Sequence, residues 1–153
     1  MRKAFTMIEL TFVIVIIGII TAVAVPALNE TRSDASIESA WITQKCVNAD
    51  IARIRASGMM AWTYWDAVKF TEAGYDKPLF DKLSVKANKT DTGVKSMGDY
   101  YGRSCEDRKS TGCWVSRDGI HYEFRVAGSG KAILFTLTKT KLTKTGSTEK
   151  SYW

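Results

Sequence analysis

The chain has 153 residues, with 22 Lys plus Arg against 16 Asp plus Glu and a formal net charge of +6. That length fits one domain of ordinary size and leaves little room for two catalytic domains. Apolar residues at 45% and charged residues at 25% lie near the globular average, which argues against disordered, collagen-like and disulfide-dense miniprotein classes.

Residues 10–28 read LTFVIVIIGIITAVAVPAL and carry no charge. At 1.5 Å rise per residue they make a helix of roughly 28 Å, close to one hydrocarbon thickness. The preceding MRKAFTMIE is too short and polar for a secretory signal, although Ala22 and Ala24 form an A-x-A pattern. Arg2 and Lys3 ahead of the span place the N-terminus in the cytoplasm and the chain after Pro26 outside. Glu9 does not suit a plain anchor, because a carboxylate in a membrane helix costs about 2.5–3.5 kcal/mol. No Lys, Arg or His lies between Lys3 and Arg32. An amine exposed by a cut before Phe5 sits about one helical turn from Glu9, on the same chain or on a neighbour, and makes Glu9 an assembly device.

The stretch K-A-F-T-M-I-E-L, the apolar run behind it and Pro26 closely resemble the processing segment of type IV pilins and of type II secretion pseudopilins. The resemblance covers residues 2–28; beyond them only the general architecture agrees. It implies that a prepilin peptidase cuts between Ala4 and Phe5 and methylates the Phe5 amine, with Glu9 and Pro26 serving assembly. The residue before the cut is usually Gly and here is Ala4, so slower processing is expected. Further implications are a bacterial inner-membrane protein with a cytoplasmic N-terminus, an inner-membrane assembly platform as partner, and a homo-oligomeric or mixed pilin filament in the periplasm or outside the cell. The chain then divides into a leader (1–4), a transmembrane and assembly half-helix (5–28) and a globular region (29–153).

Beyond the span, Ile37, Trp41, Val47, Ile51 and Ile54 share one helix face, and Gly58 supplies a stop. One helix from about residue 5 to 57 is expected, roughly 80 Å long, with Gly18 and Pro26 as its weak points. The alternative at Pro26 is a helix end followed by a linker. Thr63 and Asp66 give a capping signal for a short connecting helix closed by Gly74 and Pro78. Met59, Met60, Trp62, Tyr64 and Trp65 read as core, with an exposed docking patch as the alternative. The Lys-, Asp-, Thr- and Gly-rich stretch between Leu83 and Gly102 reads as a long surface loop.

Three strands are expected from residue 113 onward, with turns at Asp118-Gly119 and Gly128-Ser129-Gly130. Ile120, Tyr122, Phe124 and Val126 alternate with His121, Glu123 and Arg125, so the first set should pack on the helix stripe and the second should be wet. The fold class is α+β: a pilin-like lollipop in which an antiparallel sheet lies across a long N-terminal helix. The Lys- and Thr-rich tail forms an edge strand or hangs free.

Three cysteines in an oxidising compartment leave one over. Cys105 and Cys113 are the expected pair, worth roughly 2.5 kcal/mol by loop entropy, and Cys46 is expected as a small buried hydrophobe, with a bond to either of the other two as the alternative. The sequence has no CxxC, no GxSxG, no Walker loop and a single His, so neither a metal site, a cofactor, an enzyme nor a small-molecule substrate is expected. Asp91 and Asp99 are weak calcium candidates and read better as solvated loop acids. The main functional expectation is a structural subunit of a type IV pilus or type II secretion pseudopilus. The alternative is a DNA-binding minor pilin of a competence system, with phosphate contacts from Lys139, Lys141 and Lys144; a solvated lysine edge that resists sheet-to-sheet association explains the same residues.

Overall fold

The computed structural model describes residues 5–60, 65–70, 72–87, 90–95 and 102–148. One helix, α1 (Met7–Met60), precedes seven strands: β1 (Trp65–Phe70), β2 (Lys82–Ala87), β3 (Thr90–Lys95), β4 (Cys113–Ser116), β5 (His121–Arg125), β6 (Ala132–Leu137) and β7 (Leu142–Thr148). The result is α+β, a long helix followed by antiparallel sheets in a lollipop-like layout.

α1 passes through Pro26 without ending, so the linker alternative does not hold. Proline costs the helix one backbone bond, and the helical pattern on both sides retains the rest. The two halves of α1 meet different surroundings. Residues 5–32 are exposed throughout. In the second half Ala40, Thr43, Val47, Asp50, Ile51, Ile54 and Gly58 are buried, at the alternating three- and four-residue steps that line one face of a helix. Ile37 and Trp41 pack against the same core from its rim. Cys46 falls between these steps and is exposed, which corrects the expectation of a buried thiol. Met59 and Met60 are exposed as well, because they fall off the buried face that Ile54 and Gly58 continue. Trp62 and Tyr64, and the side chain of Trp65, lie outside the described residues.

Two antiparallel sheets cover the stripe, in the orders β1-β2-β3 and β4-β5-β6-β7. The expected helix after Thr63 is in fact β1. Its Ala67 and Phe70 are buried, it pairs with β2, and its other edge donates from Ala67 N to Lys139 O (3.1 Å) and from Phe70 N to Gly119 O (2.9 Å). A local capping signal yields to backbone pairing on both sides. The expected long loop is likewise largely sheet. Leu83 and Val85 of β2 are buried while Lys82 and Lys86 are exposed, and β3 pairs along the whole of β2. Asp91 lies on β3, its side chain outside the described set, and Asp99 is not among the described residues.

Aromatic side chains join the two sheets. Phe80 stacks on Tyr122 at 4.8 Å and meets Trp114 edge-on at 5.4 Å, while Trp114 lies 5.2 Å from Phe124 and 4.9 Å from Phe135. Both expected turns are present, between β4 and β5 and between β5 and β6. The tail forms the edge strand β7.

Gly119 is the tightest backbone contact. Its φ is +73°, and a Cβ there would lie 1.9 Å from the Phe70 carbonyl oxygen. Gly119→Ala is therefore expected to cost at least about 2 kcal/mol, by pushing the β4–β5 turn off β1. Thermal unfolding of the full chain in detergent, followed by near-ultraviolet circular dichroism of the aromatic cluster, should show a lowered midpoint. An unchanged midpoint would exclude this contact as a constraint.

Candidate functional site: the start of the helix and the disulfide loop

Thr6 and Glu9 close the start of α1 on itself. Thr6 N and Thr6 Oγ1 each donate to Glu9 Oε2 at 3.0 Å, and Glu9 N donates to Thr6 Oγ1 at 3.3 Å. This reciprocal box satisfies backbone donors that a helix start leaves without partners, and a carboxylate there also favours the positive end of the helix. Its sequence signal is Thr6 three residues before Glu9, which an argument from charge alone passes over. Glu9 thus has a role within its own chain before any neighbour is considered. Phe5, Ile8, Phe12 and Val13 surround it as open apolar surface. Ala4 lies outside the described residues. α1 is the one helix among the described residues long and apolar enough to cross a membrane.

At the other end of the molecule Cys105 and Cys113 are bonded, with Cα atoms 5.1 Å apart. Beneath their loop the structure departs from the expected wet face of β5. His121 is exposed and pairs with Asp118 at 2.6 Å, but Glu123 and Arg125 are buried. The segment 103–112 covers them, tied to β4 by bonds from Cys105 N to Trp114 O and from Trp114 N to Arg103 O, both 2.8 Å. Arg125 Nε donates to Glu123 Oε1 at 3.1 Å. Its Nη1 donates to the carbonyls of Asp107 (3.1 Å) and Arg108 (2.9 Å), and its Nη2 to the Tyr75 hydroxyl (3.0 Å). The guanidinium thus fixes the loop from inside while Glu123 neutralises its charge. An alternating strand read alone cannot reveal this second layer, because it comes from the segment 103–112 and from Tyr75, both outside the strand.

The loop has its own clasp. Asp107 Oδ1 accepts from Lys109 N, Ser110 N and Ser110 Oγ at 2.8–2.9 Å. Above it Arg108, Lys109 and Lys131 line a cavity of about 180 Å³. The three lysines singled out in the sequence are not gathered in the same way. Lys139 Nζ lies 3.8 Å from Asp66, Lys144 Nζ sits 5.6 Å above the Trp41 ring, and Lys141 is exposed. Among the described residues no group of three or more His, Cys, Asp or Glu could hold a metal ion.

These features define an α+β protein with a membrane-length apolar helix and a disulfide-clasped globular part. No protein-family model, no curated protein and no solved structure matches the chain.

The Ser110 hydroxyl, followed by the amides of Lys109 and Ser110, holds the Asp107 carboxyl below its ordinary value of 3.8. A carboxylate with a lowered folded-state pKa contributes stability that is present above the unfolded value and lost as pH falls through the folded one. The clasp should therefore hold at neutral pH and open only in strong acid. A carbon-detected titration should place the Asp107 midpoint under 3.8, and Ser110→Ala should raise it. An Asp107 midpoint at or above the ordinary value would show that the clasp does not form in solution.

Proposed function

We propose that the chain is a structural subunit of a helical filament of the type IV pilus or type II secretion pseudopilus kind, assembled through residues 5–28. The observation that carries this reading is the continuity of α1, one element from Met7 to Met60 whose first half is bare apolar surface and whose second half is locked into the globular part. A single-pass anchor needs no rigid link between span and domain. A subunit that stacks its spans in a filament core and displays its domains outside does need one.

In this reading a prepilin peptidase cuts after Ala4 and methylates Phe5, an inner-membrane platform drives assembly, and the chain moves from the inner membrane into a periplasmic or extracellular filament. Glu9 then carries two duties: it caps its own helix through Thr6, and it offers a counter-charge to the amine of a neighbouring Phe5. DNA binding is a second reading. It is favoured by the grouping of Arg108, Lys109 and Lys131 around one cavity rather than by Lys139, Lys141 and Lys144.

Mass spectrometry of the envelope-extracted protein should find a chain beginning at N-methylated Phe5; an intact Met1 would refute the processing step. The two duties of Glu9 separate by substitution. Glu9→Gln keeps a side chain that can complete the box with Thr6 but removes the charge, whereas Glu9→Val removes both. Both variants should insert and be cleaved, and both should fail to enter filaments sheared from cells. Wild-type filament levels from Glu9→Gln would assign the residue to capping alone.

A further inference from the structure

β7 is the edge of its sheet, and its two ends are treated differently. At Leu142 the helix acts as the missing neighbour: Leu142 N donates to Asn48 Oδ1 at 2.6 Å, and Leu142 O accepts from Gln44 Nε2 at 2.9 Å and Asn48 Nδ2 at 3.1 Å. From Thr143 to Ser147 the outward backbone groups have no partner among the described residues, β6 holding only the inner edge. Between this open edge and α1 lies a groove of about 500 Å³. Ile37 and Trp41 line its helix side, Ile133 its sheet side, and Lys131 and Lys144 stand in it, with Asp34 as the one acid there among the described residues.

An unpaired edge normally needs protection, and an outward lysine is one common device. Lys144 does not serve that way here. Its ammonium lies over the Trp41 ring at 5.6 Å, on the helix side of the strand and inside the groove, where it marks a place for a carboxylate. An extended chain is the ligand whose backbone can satisfy several consecutive strand groups at once, while its alternate side chains reach the apolar wall.

We propose that this groove receives an extended, acidic segment of another polypeptide, added as a strand alongside Thr143–Ser147, with apolar side chains against Ile37 and Trp41 and a carboxylate on Lys144. The proposal concerns the globular half of the chain and stands whether or not residues 5–28 build a filament.

The test uses the isotope-labelled full chain in detergent micelles and three capped peptides: acetyl-Val-Thr-Glu-Thr-Val-amide, which turns its carboxylate and both valines to one face, the same peptide with N-methylated backbone, and acetyl-Val-Thr-Lys-Thr-Val-amide. The acidic peptide should shift the amides of residues 143–147 and the Trp41 indole signal in a saturable manner. N-methylation should weaken it at least tenfold, because the added backbone bonds are lost. Lys144→Glu, an exposed position whose replacement leaves the core intact, should weaken the acidic peptide at least tenfold and give binding to the lysine peptide. The proposal is overturned if the N-methylated peptide binds equally well, if the shifts map elsewhere, or if no peptide binds at millimolar concentration. It is also overturned if the same amides shift with protein concentration alone, which would make a second copy the occupant.

Discussion

One face of the second half of α1 has to stay dry, and the globular part is arranged to meet that constraint. Ala40, Val47, Ile51 and Ile54 are buried, and a stripe of this kind has no stability of its own until another layer covers it. The inner faces of both sheets supply the cover, with Trp114 at their centre among Phe80, Phe124 and Phe135. Because the helix is continuous, the same contact also sets the direction in which the bare apolar half leaves the domain. A change that loosens the stripe would release that direction along with the fold.

The sheet β4-β5-β6-β7 is covered twice near its first edge. Inward it packs on the helix. Outward, at Glu123 and Arg125, it packs beneath the loop that Cys105 and Cys113 close. Burying an arginine and a glutamate together costs solvation that their mutual attraction offsets only when the remaining donors also find partners, and here Arg125 reaches two carbonyls and the Tyr75 hydroxyl. The loop is thus held by a covalent link at its base and by a charged group at its middle. Its outward cations, Arg108 and Lys109, are consequently displayed from a fixed frame beside Lys131.

The start of α1 shows how one side chain can answer two demands. A carboxylate in a membrane-length apolar helix is costly where it has no partner, yet at the third position of that helix it satisfies the Thr6 amide and hydroxyl and meets the positive helix end. The cap is a property of the isolated chain. Any counter-charge from a neighbour is a property of an assembly, and the two can be separated because a neutral amide can perform the first and not the second.

Much of this was legible in the residues themselves. The charge-free run at 10–28, the stripe beyond it, the Asp118-Gly119 turn and the short spacing of Cys105 and Cys113 are local signals, set by periodicity, backbone conformation and loop length that neighbouring residues determine alone. The strand character of residues 65–70, 82–87 and 90–95 was not legible, nor the burial of Glu123 and Arg125, nor the exposure of Cys46, Met59 and Met60. In each case the outcome depends on what covers the residue: β1 is a strand because β2 and two distant turns take its backbone bonds, and Arg125 is dry because a loop closed by a disulfide lies over it. The groove beside β7 belongs to the same class. The sequence left the Lys- and Thr-rich tail as an edge strand or a free end; only pairing with β6 made it a strand, and only the packing of α1 against it decided that part of that edge is capped and part left open.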